Sequence, residues 1–122
     1  MPKVLVVEDE MLIRLHVVDT FRDNGFTVVE AADGEQALRL LEADASIDAV
    51  FSDVTLPGVV DGFAVGRWVR RHRPGVPVFL TSGEVNAAHA ERVAGEAPFF
   101  AKPCDYAEVA DFIRSRLQAC DA

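Results

Sequence analysis

The chain has 122 residues, of which 50% are hydrophobic and 26% charged, and it carries a formal net charge of −8 at pH 7. This length and composition suit one globular domain over residues 1–122, and the acidic balance argues against direct binding to nucleic acid. No apolar run approaches the ~20 residues of a membrane span or resembles a signal peptide, so we expect no membrane insertion and a cytoplasmic location.

The chain begins with an apolar strand and an amphipathic helix. Residues 3–7 form the first predicted strand, and the first helix follows Asp9. Met11, Leu15 and Val18 follow each other at the helical spacing of three or four residues, which predicts an apolar stripe along this helix. The helix is expected to end where Gly25 supplies the left-handed residue of a helix terminus.

A second strand, a second helix and a third strand follow. The second strand is predicted at residues 27–31, a run rich in β-branched residues. The second helix begins at Asp33, because Asp33 and Gln36 have the spacing of a capping box. The third strand is predicted at residues 49–52, and it leads directly to Asp53.

The third helix ends in a basic group. The helix is predicted from residue 62 to residue 73, where a Pro-Gly pair stops it. Its later turns carry five basic side chains in an otherwise acidic chain, namely Arg67, Arg70, Arg71, His72 and Arg73. Because cations complement the negative end of a helix dipole, we interpret this group as a solvated helix end.

Two more strands and two more helices complete the chain. The strands are predicted at residues 76–81 and 99–101. Between them, a fourth helix at about 86–94 is rich in Ala, so we expect it to be the least firmly packed element. The fifth helix begins at Asp105, three residues before Glu108. The regular alternation indicates an α/β fold whose parallel sheet is covered by helices on both faces.

Polar residues stand at the ends of four of the five predicted strands. They are Glu8 and Asp9 after the first strand, Asp53 after the third, Thr81 and Ser82 at the fourth, and Lys102, which precedes Pro103, after the fifth. Ligands of open parallel sheets bind beyond the carboxyl ends of the strands. We therefore expect three carboxylates, a hydroxyl and an ammonium to converge there.

This group of residues has the chemistry of phosphoryl transfer. Clustered carboxylates repel each other and favour a bound cation, and their hard oxygen atoms favour Mg²⁺. Asp53 can attack phosphorus to give an aspartyl phosphate, while Mg²⁺ and Lys102 neutralise the phosphoryl oxygens. Taken singly, each residue also has a structural interpretation, for example Glu8 and Asp9 as a helix cap and Thr81 as a strand residue. Their joint occurrence at successive strand ends favours the functional interpretation.

Four motifs in this order resemble the receiver family of bacterial response regulators. They are VLVVEDE at 4–10, FSDVTLPG at 51–58, VFLTSG at 78–83 and FFAKP at 99–103, so the resemblance covers the whole chain. It implies a doubly wound five-stranded parallel sheet of order 2-1-3-4-5 with five helices, a flavodoxin-like fold. Its switch point lies between strands one and three. A cis peptide bond before Pro103 is also implied.

The resemblance further implies a role for each site residue. Asp53 would be the phosphoacceptor. A phosphohistidine of a sensor histidine kinase or histidine phosphotransferase would supply the phosphoryl group. Asp9, Asp53 and the backbone carbonyl of Thr55 would ligate Mg²⁺ directly, and Glu8 would act largely through water. Lys102 would hold the phosphoryl oxygens.

The resemblance also implies how the signal leaves the site. The Thr81 hydroxyl would hold a phosphoryl oxygen, and its movement would let Phe99 swing inward. A downstream protein would then bind the face made by the fourth helix, the fifth strand and the fifth helix. Such a chain is a phosphoacceptor that promotes its own phosphorylation and dephosphorylation rather than an enzyme. We expect a stand-alone, single-domain receiver that signals through protein contacts, unless the chain is a piece of a longer protein.

Three departures from the family pattern concern the site. The loop after Asp53 has one more residue than is usual before the Asp-Gly pair at 61–62, which predicts an altered loop over the site. The two positions that tune phosphorylation and hydrolysis rates in the family are Thr55 and Gly83 here. The aromatic switch position is Phe99, which lacks the hydroxyl of the frequent Tyr.

Two other functions compete with this one. A haloacid-dehalogenase-like phosphatase also uses an aspartyl nucleophile, but it needs a second Asp where this chain has Thr55, and the chain is too short for its usual cap. A pseudo-receiver that binds a partner without phosphorylation stays open, although all five site positions are chemically competent. Nucleotide binding has no support, because the sequence contains neither GxxxxGK[ST] nor GxGxxG.

Overall fold

The computed structural model of the protein describes residues 1–83 and 98–121. Its strands are β1 (Lys3–Val7), β2 (Thr27–Ala31), β3 (Ala49–Asp53), β4 (Val78–Ser82) and β5 (Phe99–Ala101). The helices in this part of the chain are α1 (Met11–Asp23), α2 (Gly34–Ala43), α3 (Gly62–His72) and a C-terminal helix (Tyr106–Asp121). The fourth helix predicted at 86–94 lies outside the described residues. None of the described helices is long and apolar enough to cross a membrane.

The five strands form one parallel sheet in the order β2-β1-β3-β4-β5, which confirms the predicted doubly wound topology. The chain moves outward from β1 to β2 and then returns past β1 to β3. Val7 at the end of β1 pairs with Ser52 near the end of β3. The residues that follow these two positions therefore lie side by side at the carboxyl edge of the sheet.

Side chains alternate along the strands and divide the core into two layers. Val4 and Val6 pack with α1 and the C-terminal helix, whereas Leu5 and Val7 pack with α2 and α3. The central strands β3 and β4 are buried along their whole length, as expected for strands covered on both faces. Burial of each large apolar side chain contributes about 1.5 to 3 kcal/mol, so the sheet is a firm support for the residues at its edge.

The predicted apolar stripe of α1 is wrong in two of its three positions. Met11 and Leu15 are 60% and 45% exposed. The side of the helix that faces the core carries Val18 together with Ile13, Val17 and Phe21. Ile13, Val17 and Phe21 are spaced four residues apart, so the sequence held two overlapping stripes, and periodicity alone favoured the wrong one.

Three strand boundaries differ from the prediction by one or two residues. β4 starts at Val78 because Pro77 has no N–H to donate to a strand ladder. It ends at Ser82 rather than Thr81, and β3 extends to Asp53, which pairs with Thr81. Asp53 and Thr81 therefore belong to paired strands of the sheet.

The predicted helix caps are present. Asp33 accepts a hydrogen bond from the Gln36 backbone N–H at 2.7 Å, and Asp105 accepts one from the Ala107 N–H at 2.9 Å. Gly25 adopts the left-handed backbone, with φ of 92°, at the end of α1. These local signals fixed the helix boundaries because each depends on residues only a few positions apart.

The basic group at the end of α3 divides into two parts. Its first four side chains, those of Arg67, Arg70, Arg71 and His72, are exposed, as predicted for a solvated helix end. Arg73 instead donates four hydrogen bonds of 2.9 to 3.0 Å to the backbone carbonyls of Leu41, Asp44, Ala45 and Ile47. Arg73 thereby fixes the connection between α2 and β3.

Candidate functional site

Three carboxylates meet at the carboxyl ends of β1 and β3. One oxygen atom from each of Glu8, Asp9 and Asp53 lies within 4.8 Å of the others. Glu8 and Asp53 are buried, whereas Asp9 is exposed. The parallel pairing of β1 with β3 brings these acids together, although Asp53 is more than forty positions away in the chain.

Lys102 follows β5 and reaches into the three acids. Its Nζ donates hydrogen bonds to Glu8 Oε1 at 2.7 Å and to Asp53 Oδ2 at 3.0 Å. The peptide bond between Lys102 and Pro103 is cis, as predicted. Partial burial lowers the pKa of the Lys102 ammonium, but the bonds to Glu8 and Asp53 outweigh this effect and hold the pKa above its ordinary value. Lys102 therefore stays protonated and balances one of the three negative charges.

The pKa of the Asp9 carboxyl is raised, in a site where Lys102 balances only one of the three negative charges. Although Asp9 is exposed as a residue, a partial loss of solvent around its carboxyl raises the pKa of this group. The hydrogen bond with Glu8 and the charge of Glu8 raise it further, and the charge of Lys102 opposes them. A raised pKa means that the ionised carboxylate is unfavourable in this arrangement. A bound divalent cation would instead favour the ionised carboxylate. Because the donor atoms are all oxygens, they fit a metal such as Mg²⁺.

An open cleft of about 510 Å³ lies over the acids. Its walls come from all the strand ends of the site, and the lining residues are Asp9, Glu10, Ile13, Asp53, Thr55, Ser82, Gly83 and Lys102. Asp53 is only 7% exposed, but it lines this cleft. The cleft therefore gives a small charged group access to Asp53 while protein atoms surround the rest of the carboxylate.

Thr81 lies beside Asp53, but its hydroxyl is bound elsewhere. The two residues pair across β3 and β4, and Thr81 Oγ1 donates a hydrogen bond to the Phe100 carbonyl at 2.7 Å. Phe99 is half-buried and packs against the core layer of α2 and α3. The hydroxyl would have to leave the Phe100 carbonyl before it could hold a phosphoryl oxygen, so that role stays a prediction.

The backbone of Asp53 is in close contact with the start of α3. The Gly62 N–H donates to the Val54 carbonyl at 2.8 Å, and a Cβ at Gly62 would lie 2.2 Å from the Asp53 carbonyl oxygen. No side chain fits at that distance, so glycine is required there. The Thr55 N–H donates to Asp53 Oδ1 at 3.3 Å. The Asp53 carboxylate is thus oriented by the residues that follow it.

One positioning residue was missed by the sequence analysis. Arg14 of α1 donates to the Glu8 backbone carbonyl at 2.9 Å and to Glu30 Oε1 at 3.1 Å. It thereby ties the backbone directly after β1 to β2. The sequence shows Arg14 only as a polar residue four positions after Glu10, which favours a local pair on the helix instead of these distant contacts.

Comparisons with known proteins agree with this geometry. A family model described as "Response regulator receiver domain" matches residues 4–114. The sensor kinase CckA of Brucella abortus (strain 2308) is 33% identical over 121 residues, which cover 97% of this chain and 13% of that protein. The sporulation initiation phosphotransferase F of Bacillus subtilis (strain 168) is 28% identical over 117 residues, which cover 94% of this chain and 93% of that protein.

Solved structures show the same fold. A response regulator receiver protein from Sinorhizobium medicae WSM419 has a TM-score of 0.89 at 27% identity, covering 98% of this chain and 96% of that one. The chain spans nearly the whole length of the phosphotransferase but only a small part of the length of the sensor kinase.

Proposed function

The chain belongs to the family of response regulator receiver domains of two-component signal transduction, and from this premise we propose that Asp53 is its phosphoacceptor. One observation carries the proposal. Asp53 is a buried carboxylate that lines an open cleft and lies within reach of two more carboxylates and the Lys102 ammonium. This combination supplies a nucleophile, a cation and room for a phosphoryl group.

The proposed reaction is attack of an Asp53 carboxylate oxygen on phosphorus. A new O–P bond forms while the bond from phosphorus to the donor imidazole nitrogen breaks, and its electron pair leaves with the imidazole. Lys102 is already 3.0 Å from Asp53 Oδ2, so its ammonium can move one hydrogen bond to a phosphoryl oxygen. Because Lys102 stays protonated, it lowers the repulsion between the two anions without taking up a proton.

The acids at the ends of β1 and β3 are proposed to hold Mg²⁺. Asp9, Asp53 and the Thr55 carbonyl are the direct ligands in this proposal, and Glu8 acts through water. The separation of 4.8 Å or less among the acids and the raised pKa of Asp9 support it. Glu8 Oε1 already accepts a hydrogen bond from Lys102, which supports a role through water rather than as a direct ligand. When bound, Mg²⁺ supplies positive charge that stabilises the transferring phosphoryl group.

The phosphoryl donor is proposed to be a sensor histidine kinase or a histidine phosphotransferase. Such a donor must bring its phosphohistidine to the mouth of the cleft. An apolar groove adjoins the cleft there, with Leu12, Ile13, His16, Lys102, Pro103 and Tyr106 in its walls. Leu12 is 76% exposed, so a donor helix that covers it would gain stability from apolar burial.

The output is proposed to begin at Thr81. A phosphoryl oxygen at Asp53 would compete with the Phe100 carbonyl for the Thr81 hydroxyl, which links the site to β5. Phe99 begins β5 and is half-buried, so a shift of this strand would change how Phe99 packs. We propose that a downstream protein reads this change on the face made by the predicted fourth helix, β5 and the C-terminal helix.

Labelling with acetyl phosphate in Mg²⁺ tests the assignment of Asp53. Wild type should acquire one base-labile acyl phosphate, and Asp53→Asn should not, because Asn has no anionic oxygen. Asp19→Asn, which makes the same charge change on the exposed side of α1, is the control and should label normally. Full labelling of Asp53→Asn would show that another residue is the phosphoacceptor. No labelling of wild type, by acetyl phosphate or by a phosphorylated histidine protein, would favour the pseudo-receiver.

A further inference from the structure

The tip of the loop between β3 and α3 rests against a carboxylate of α2. In this loop, residues 54–61, Gly58 adopts a left-handed backbone with φ of 86°. The next N–H, that of Val59, donates to Glu35 Oε1 at 3.3 Å. A Cβ at Gly58 would lie 2.9 Å from that same oxygen, so the carboxylate packs directly on the glycine.

A second contact seats the loop on the backbone of α2. A Cβ at Gly34 would lie 2.1 Å from the Val60 carbonyl oxygen and 2.6 Å from Val60 Cγ1. A side chain at position 34 would displace the loop, so glycine allows the loop to contact the first turn of α2. Glu35 is in that same turn, where the helix dipole favours an anion.

The tip of the loop is not held by apolar burial of its outermost side chain. Val59 is 93% exposed, whereas Leu56 nearer to β3 is buried. The inner part of the loop carries Thr55, which lines the cleft and donates its N–H to Asp53. The path of the tip therefore depends on the polar contact with Glu35 together with the packing of Val60 beside Gly34, and the same loop forms one wall of the cleft.

We propose that Glu35 is a positioning residue for the phosphoacceptor site. By holding the Val59 N–H and packing on Gly58, its carboxylate sets the path of residues 54–61 and with it the position of the Thr55 carbonyl. The inference rests on the proposed function, because it takes the Thr55 carbonyl as a ligand of Mg²⁺ at Asp53.

Three variants of α2 test the inference. Glu35→Ala removes the acceptor, Glu35→Gln keeps an oxygen acceptor of the same reach, and Glu42→Ala makes the same charge change at an exposed position near the other end of the helix. Mg²⁺ affinity is measured by calorimetric titration, and the half-life of the aspartyl phosphate is measured after removal of acetyl phosphate. Thermal unfolding in EDTA reports general stability.

Glu35→Ala should weaken Mg²⁺ binding about threefold to tenfold, the range expected when one hydrogen bond that orients a ligand is lost. The half-life of the phosphoryl group should change in the same variant. Glu35→Gln should stay within about twofold of wild type in both measurements, because its amide oxygen can accept from the Val59 N–H. Glu42→Ala should match wild type.

Equal Mg²⁺ affinity of Glu35→Ala and Glu42→Ala would overturn the inference, and so would a Glu35→Gln variant as weak as Glu35→Ala. If Glu35→Ala does not fold, Glu35→Asp decides the matter, because it keeps the charge but shortens the side chain by one methylene and so withdraws the acceptor from the Val59 N–H. Weaker Mg²⁺ binding in Glu35→Asp is then the expected result, and wild-type affinity would overturn the inference. Mg²⁺ titration does not require phosphorylation, so a failure to label Asp53 would count against the proposed function alone.

Discussion

Replacing Asp9 by Asn should stabilise the metal-free protein and weaken its response to Mg²⁺. The Asp9 carboxylate has an oxygen within 4.8 Å of oxygens of Glu8 and Asp53. Two unit charges at such a distance repel by about 1 kcal/mol in surroundings as polar as water, which suit the exposed Asp9. The charge of Lys102 offsets part of this repulsion. We therefore expect Asp9→Asn to raise the free energy of unfolding of the metal-free protein by about 0.5 to 1 kcal/mol, which corresponds to about 2 to 5 °C in Tm.

The pH dependence of stability follows from the same charge. The pKa of Asp9 is raised in the folded protein, first by a partial loss of solvent around the carboxyl, although the residue as a whole is exposed, and then by Glu8. The native state therefore binds a proton at higher pH than the unfolded state does. Metal-free wild type should therefore gain stability from this group as the pH falls through the folded-state pKa of Asp9. Asp9→Asn lacks this contribution. The difference in stability between the two proteins should shrink as Asp9 becomes protonated.

Thermal unfolding in EDTA and in Mg²⁺ measures both effects. At about 100 times its Kd, Mg²⁺ would stabilise wild type by about 2.7 kcal/mol, and Asp9→Asn should gain much less because it has lost a direct ligand. The order of the two Tm values should then reverse between the two conditions. Glu8→Gln should lose less Mg²⁺ affinity than Asp9→Asn, and Asp19→Asn controls for net charge. A destabilised Asp9→Asn in EDTA, or an equal gain in Asp19→Asn, would refute the reasoning.

Three further predictions concern other parts of the molecule. Arg73→Ala should lower the free energy of unfolding by about 2 to 3 kcal/mol, because four backbone carbonyls lose a donor, whereas exposed Arg71→Ala should change it little in denaturant titrations. Tyr106 is the one tyrosine, and burial raises its pKa to about 12, so ultraviolet titration should show no tyrosinate near pH 10. Stability should fall between about pH 10 and 12 as the unfolded state ionises first, and a titration midpoint at the ordinary tyrosine pKa of about 10 would contradict this. Beryllofluoride should change amide exchange in β5 of wild type but not of Thr81→Ala, and changes confined to the loop after Asp53 would exclude the proposed output route.

Features that depend on near neighbours in the chain were predictable from the sequence. The five strands, the caps at Asp33 and Asp105 and the left-handed Gly25 each follow from signals within a few residues. Asp53 and Lys102 could be singled out because parallel strands bring their carboxyl ends to one edge, whatever the details of packing. Resemblance to a known family then supplied the order of the strands.

Other features were decided only by the tertiary structure. Periodicity allowed two stripes on α1, and packing against the sheet selected the one with Val17 and Phe21. Likewise, no spacing in the sequence indicates that Arg73 binds carbonyls of the segment after α2, or that Glu35 holds a loop 24 residues later. Hydrophobic pattern and turn chemistry act over short distances along the chain. The partner of a polar side chain depends instead on which surfaces meet after the sheet has formed, so only the folded structure decides it.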